Sequence, residues 1–433
     1  MMRFKQIQLV IALIIHIGVI AQQSGNGEQK ILIRYATAHV GNGQKIENAL
    51  LVFQGDEITM LAGGNSTRIN VLDYDSIIDA EGKHIYPGFI VMDSRLGLTE
   101  IGAVIATHDY RETGDINPNI RALSAFNAES KVLSTVRTNG VLMAQLAPIG
   151  GVLSGSSAVV HFNGLNWKEA KISEDGVYLN WPSRYGYQGW WAEPGSAEKN
   201  KKYADGQDAI QEFFAEAQVF ALDSIRPYRN LKLEAVAPLF TGEKRLYIRA
   251  NWAKDILDAI QFYRASGVKK MAIVGGSEAH LVTTELVEND VPVVIDRVHK
   301  IPSHSGDMLD RPFRLAADLV ANGVNVAFAT SGDMEAMISR NLPFQVGTAV
   351  YYGLPYEKAI ESLTLTPAKL MGIEKDYGTI ESGKKATFFI SEGDALDIKS
   401  NDVTAAFING KRVYLWNHQM ELRDKYSKRK TTN

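Results

Sequence analysis

The sequence predicts an α/β fold: a (β/α)8 TIM-type barrel with a small composite β-sandwich domain built from both chain ends. Three observations carry this expectation. Apolar runs suited to buried parallel strands recur through the middle of the chain, among them "VLMAQLAP", "SSAVVHF", "KRLYIRAN", "KKMAIVGG", "VPVVIDR" and "VNVAFAT". Helical stretches lie between them, and the last four strands follow in regular strand–helix steps, which favours a closed barrel over an open sheet. β-like segments with turn punctuation bracket this region on both sides.

The elements follow in order. Arg3 and Lys5 precede "LVIALIIHIGVIA" at 9–21, an apolar run too short for a comfortable membrane span. Val19 and Ala21 supply a small-residue cleavage pattern, so 1–21 is predicted to be a secretory signal peptide. The mature protein is then expected to be exported, periplasmic or secreted, soluble, and without a membrane span. The chain of 433 residues has no cysteine, so it forms no disulfide, and any metal site would depend on His, Asp or Glu. Residues 30–85 form the first β part, with "GNGQ" and "AGGN" as turns. Residues 86–372 form the barrel. In "AKDILDAIQFYRASG" Ile256, Ile260 and Tyr263 share a helix face and Gly267 ends it; "RPFRLAADLVANG" repeats the scheme up to Gly323. Residues 373–418 return to β character, and 419–433 form a tail whose basic "KYSKRK" reads as a frayed terminus. The aromatic stretch "GVYLNWPSRYGYQGWWAEPG" is either a lid over the site or an insertion pinned by its rings.

Other function classes find little support. Net charge is −3, which offers no global positive field to nucleic acid. There is no P-loop, "GNGQ" lacks the dinucleotide spacing, and "GVLSGSSAVV" is not a G-x-S-x-G elbow. Of nine histidines, none forms H-x-H or HExxH.

The chain resembles the amidohydrolase superfamily, in particular imidazolonepropionase-like and related exported members. "YPGFI" (86–90), "INPNIRALSAFN" (116–127), "IGGVLSGSSAVV" (149–160) and above all "LTLTPAKLMGIEKDYGTIESGKKATFFI" (363–390) followed by "VTAAFINGKRVY" carry the resemblance. It implies hydrolysis of a non-peptide or dipeptide C–N bond in a small molecule, on zinc or another divalent metal held at the strand ends. The usual ligands are two histidines after strand one, often a carboxylated lysine, single histidines on strands five and six, and an aspartate on strand eight.

This sequence departs from that pattern at each place. Asp93 and Arg95 stand for the first two histidines; Val91 is also altered. Arg249 and Asn251 stand at strand five, Gly275 at strand six with His280 shortly after, and Ser331 at strand eight with Asp333 two residues on. "VYLNWPS", placed on the lysine strand, has no lysine. Arginine cannot ligate a metal, because its guanidinium stays protonated. We therefore expect no metal site and no cofactor. Asp93 and Asp333 are the catalytic candidates. Arg95, Arg249, Asn251 and His280 are the substrate-binding candidates. Three readings stay open: a salt-bridge network of Arg95 and Arg249 with Asp93 and Asp333, an anion site on the arginines, or a remodelled single-metal site using Asp93, Asp333 and one of His161, His280 or His304. The expected partners are a small-molecule ligand and either a second copy or an active relative. The function is then either amidohydrolase chemistry with a degenerate metal site, or an inactive ligand-binding or partner subunit.

Overall fold

The computed structural model describes residues 28–187, 193, 195–223, 229–304 and 306–427. The expected signal peptide, Trp190, Trp191 and the end of the basic tail lie outside the described residues. Among the described residues no helix is long and apolar enough to cross a membrane.

The chain opens with β1 (Lys30–His39), β2 (Lys45–Gln54), β3 (Glu57–Gly63), β4 (Ser76–Asp79) and β5 (His84–Pro87). The barrel strands are β6 (Phe89–Ser94), β7 (Val141–Leu146), β8 (Leu153–His161) and β9 (Lys171–Asn180). A hairpin of β10 (Tyr185–Tyr187) and β11 (Ala197–Lys199) follows, then β12 (Arg245–Ala250), β13 (Met271–Gly275), β14 (Val293–Ile295) and β15 (Val326–Phe328). The chain returns through β16 (Phe388–Ser391), β17 (Val403–Ile408) and β18 (Lys411–Arg412).

Strands from both ends hydrogen-bond into one sheet in the order β18-β17-β16-β5-β1-β2-β3, with β4 beside β1. That sheet curls over. Phe53 on β2 and Phe407 on β17 stand four strand positions apart, which in a flat sheet is roughly 19 Å at the usual strand spacing. Their rings nevertheless meet at 5.1 Å, and Phe53 also meets Phe388 at 5.5 Å. The inner face of the sheet thus closes on its own apolar core, with Ile33, Leu51, Ile85 and Ile390.

The second sheet runs β15-β14-β13-β12-β9-β8-β7-β6, and a parallel bridge from Met92 to Ala329 joins its two edges. It departs from the expected all-parallel pattern at one place. "SSAVVHF" lies on β8, which pairs antiparallel with both β7 and β9. The cause is connection length: residues 147–152 and 162–170 carry only the short helix Trp167–Ala170. A parallel crossover takes a dozen or more residues. Within this sheet the pairings from β9 through β12, β13 and β14 to β15 are all parallel.

Side chains alternate along the barrel strands. Ile90, Met92, Met143, Val159, Tyr178, Tyr247, Val274 and Val294 fill the interior, while Phe89, Val91, Val141, Leu246 and Ile248 pack outward against helices. The helix Ala253–Ser266 buries Ile256 and Ile260 and ends at Gly267, which takes φ 78°. The floor is closed by the helix Leu365–Met371 from the "TPAKLMG" run. Its Leu370 carbonyl accepts from Arg245 Nε (3.0 Å) and Tyr247 OH (3.2 Å), and Gly372 ends it in the left-handed region.

The tail differs from expectation, and the aromatic stretch is in part pinned by its rings. The tail forms a helix, His418–Ser427, started by Asn417, whose Oδ1 accepts from the Met420 N–H at 2.9 Å. In the aromatic stretch, Trp181 is buried against Phe262 (5.4 Å) and its Nε1 donates to Tyr203 OH (3.2 Å). Tyr185 meets Trp252 edge-on at 6.1 Å, next to Asn251.

Candidate functional site

A cavity of about 210 Å³ opens at the C-terminal strand ends, where barrels of this kind carry their sites. Asp93, Arg95, Arg249, Asn251, Asp296 and Ser331 line it. Arg249 and Asn251 reach it by simple alternation along β12 after inward Tyr247. Asp93 does not: after inward Met92 it would face outward. Its φ is 47°, in the left-handed region that Asp tolerates better than most residues, and pairing with β7 slips between Val91 and Ser94. The slip re-aims the carboxylate into the bowl. Gly275 has its own role. A Cβ there would stand 2.5 Å from Asn251 Oδ1, so this glycine makes the room that Asn251 occupies.

Arg249 and Asp93 form the centre. Arg249 Nη2 donates to Asp93 Oδ1 at 2.5 Å and to the Pro148 carbonyl at 3.0 Å. Nη1 donates to Asn180 Oδ1 (3.2 Å) and Ser154 Oγ (3.4 Å), and the guanidinium lies over the Tyr178 ring at 4.3 Å. Ser331 Oγ donates to Asp93 Oδ2 at 2.6 Å. Both oxygens of this carboxylate, which is only 6% exposed, are therefore engaged.

Arg95 takes a different partner from the one expected. Its Nε stands 3.6 Å from Glu335 Oε2, its backbone N–H donates to the same oxygen at 2.9 Å, and its guanidinium donates to the Gly332 carbonyl. Glu335 is fully buried, and Oε1 accepts from Ser94 Oγ and Ser339 Oγ, each at 2.8 Å. Burial pushes its carboxyl above the ordinary range, opposed by the nearby Arg95 charge. Asp333 is exposed and its side chain is not among those lining the bowl; its carbonyl accepts from Arg297 Nη2 at 2.8 Å. The strand-eight place in the bowl is held by Ser331. His280 lies on the short turn Ala279–Leu281 and lines a neighbouring cavity instead.

Sequence reasoning missed a layer below the bowl. Gln145 Oε1 accepts from the Asp93 N–H (3.3 Å) and Tyr178 OH (2.7 Å), and its Nε2 donates to Asp175 Oδ2 at 2.5 Å. Asp175 also accepts from Tyr247 OH (2.8 Å) and Ser157 Oγ (2.9 Å). Burial raises its carboxyl, with these hydrogen bonds acting the other way. Gln145 had a signal in the sequence: it is the lone polar side chain within "VLMAQLAP". Asp175 and Glu335 sit among other polar residues and had none.

The arrangement offers fixed donors and a guanidinium-bound carboxylate. Among the described residues no group of three or more His, Asp or Glu side chains is placed to hold a metal ion. Asp296, the other acid of the bowl, accepts from Lys300 Nζ at 2.7 Å.

Residues 240–413 match the sequence profile of the Amidohydrolase family. The imidazolonepropionase of Flavobacterium psychrophilum is 30% identical over 168 residues, a match that covers 35% of this chain and 39% of that protein. Among solved structures, an amidohydrolase from Thermotoga maritima MSB8 superposes with TM-score 0.74 at 23% identity, covering 89% of this chain and 99% of that one. A Xaa-Pro dipeptidase with bound methionine gives TM-score 0.53 at 17% identity, covering 89% and 99%. Residues 240–413 thus carry the Amidohydrolase family profile on an amidohydrolase-like fold, and the chain spans about two fifths of the length of the imidazolonepropionase it matches.

Proposed function

We propose that this amidohydrolase-family protein has exchanged its catalytic metal for a guanidinium, and that its bowl recognises a small polar molecule without metal-based hydrolysis. One observation carries the reading: Arg249 Nη2 bonds Asp93 Oδ1 at 2.5 Å where strands one and five would present metal ligands. A fixed cation in that place repels a divalent ion, and both oxygens of the Asp93 carboxylate bonded to it are engaged. What remains is the amide of Asn251 and the hydroxyl of Ser331, which are poor zinc ligands, and Asp296, a single carboxylate already paired with Lys300. The residues present do not fit the metal, and no step is routed through one. The likeness to imidazolonepropionase and to a dipeptidase supports descent from enzymes acting on C–N bonds of small molecules. The apolar run at 9–21 supports export.

The test is metal analysis of protein purified without chelator, joined to a turnover screen on amides, cyclic imides and dipeptides. We expect metal far below one equivalent and no effect of added zinc or manganese. Near-stoichiometric metal bound to this chain overturns the reading.

A second reading rests on Ser331. Its hydroxyl donates to the Asp93 carboxylate at 2.6 Å, a hydroxyl–base pair with a guanidinium close by, which is the minimum for metal-free acyl transfer. Metal-independent turnover that is lost in Ser331→Ala favours it over pure binding.

A further inference from the structure

Beside the bowl lies a second cavity of about 260 Å³. The wall between them is a single hydrogen-bonded file. Ser277 Oγ donates to Asn251 Oδ1 (3.0 Å), and Lys300 Nζ donates to Ser277 Oγ (2.8 Å) and Asp296 Oδ1 (2.7 Å). Asn251 and Asp296 face the bowl; Ser277 and Lys300 face the second cavity.

Two residues of this cavity carry buried nitrogens with no hydrogen-bond partner. His280 Nδ1 and Arg311 Nε have no hydrogen-bond partner among the described residues. The two side chains are close enough to interact: burial, and after it the Arg311 charge, holds the His280 imidazole below its ordinary value. Arg311 turns Nη2 to Asp318, which leaves Nε unserved. Buried donors without acceptors are costly and rare in native proteins.

The acids of the cavity bond elsewhere, and none of them reaches either nitrogen. Glu278 Oε1 is held by His304 Nε2 at 2.5 Å and Oε2 by the Ala253 N–H at 2.7 Å. Asp307 Oδ2 accepts from the His304 N–H at 3.2 Å. Two prolines, Pro302 and Pro312, and Leu315 give the remaining wall an apolar character. A ligand that satisfies all of this has a planar acceptor pair, a negative charge and a short apolar body.

We propose that this cavity binds a small organic carboxylate. One oxygen accepts from His280 Nδ1 and Arg311 Nε, the Arg311 and Lys300 charges favour the anion, and the hydrocarbon end lies against Pro302, Pro312 and Leu315. The site uses neither Arg249 nor Asp93, so it stands or falls apart from the metal question in the bowl.

The experiment uses the whole chain and follows histidine ring signals by NMR during titration with butyrate, with inorganic phosphate and chloride as separate arms. We expect a saturable shift of the His280 signals with butyrate and a rise in the pH at which that ring titrates, because a bound anion favours imidazolium. Phosphate, which lacks an apolar body, is expected to bind at least about tenfold more weakly, and chloride to give no saturation. Arg311→Lys keeps the charge but not the Nε donor, and is expected to weaken butyrate by about tenfold or more. His280→Phe, read from saturation transfer to butyrate, gives an independent check with the same expected loss. No saturable shift with butyrate, phosphate as the tighter ligand, or unchanged affinity in folded Arg311→Lys or His280→Phe each overturns the proposal.

Discussion

At φ 47°, Asp93 turns the end of an alternating strand inward and meets Arg249 there. Two opposite charges in a site this shielded are not strongly stabilising as a pair, since desolvation offsets much of their attraction. Removing one alone is another matter. Arg249→Met leaves the Asp93 carboxylate buried, with only Ser331 as a side-chain donor. We expect a loss of about 3 kcal/mol in urea denaturation. Adding Asp93→Asn removes the orphaned charge, keeps a residue type that tolerates positive φ, and retains an acceptor for Ser331. The double variant is expected to recover most of the loss. If it is no more stable than Arg249→Met alone, the cost lies in lost packing on Tyr178 and not in an unpaired charge.

Between residue and fold stand the strands that present these groups. Apolar runs marked the barrel strands well, because buried strands need such runs whichever way they point. For the same reason direction was not legible: "SSAVVHF" reads alike parallel or antiparallel, and only the shortness of its connections decides. The polar replacements Asp93, Arg95, Arg249 and Asn251 could be placed because each stands at a strand end. Glu335 could not, since it opens the short helix Glu335–Ile338 after β15, where no period fixes which acid turns inward. The antiparallel insertion also shows how a loop is anchored to this part of the barrel. Arg121 grips Glu174 on β9 through two bonds, Nε to Oε2 at 2.8 Å and Nη2 to Oε1 at 2.7 Å, and Lys171 Nζ adds a third at 2.9 Å. The Arg121 hydrogen bond, with the charges of both cations, holds the Glu174 carboxyl down to about 2 from an ordinary 4.5. A lowered folded value means the unfolded chain takes up the proton more readily. The stabilisation is therefore present above pH 4.5 and is lost as pH falls toward 2. Because the pair is partly exposed, we expect Glu174→Gln to cost on the order of 1 kcal/mol near neutral pH. Urea midpoints of the two proteins should converge as the pH approaches 2. A gap that stays constant across that window assigns the effect to packing.

Over the whole molecule, the two ends of the chain act on the barrel through one seam. β5 runs into β6 with only Gly88 between them, so a central strand of the composite sheet and the first barrel strand are nearly one continuous segment. On the sheet side β16 pairs with β5 from Phe388 opposite Pro87 to Ser391 opposite His84. On the barrel side Phe389 stacks on Tyr86 at 5.3 Å and meets Phe89 edge-on at 4.9 Å. Gly140, at the entry to β7, lies so near the Phe389 ring that a Cβ would come within 2.5 Å of it. The "GTIESGKKATFFI" segment therefore closes the sheet and also braces the first two barrel strands, one of which carries Asp93. A chain ending at residue 372 keeps every barrel strand but exposes Phe53, Tyr86 and Phe89, and leaves β5 without its antiparallel partner. Such an apolar, unpaired edge is an aggregation site. We expect the truncated chain to be insoluble when expressed alone, and residues 373–433 supplied as a separate chain to restore a soluble complex. The full chain should unfold in one transition by both tryptophan fluorescence and circular dichroism, because barrel and sheet share this seam. A truncated chain that stays soluble and melts at the same temperature as the full one would show that the barrel holds its first strand unaided.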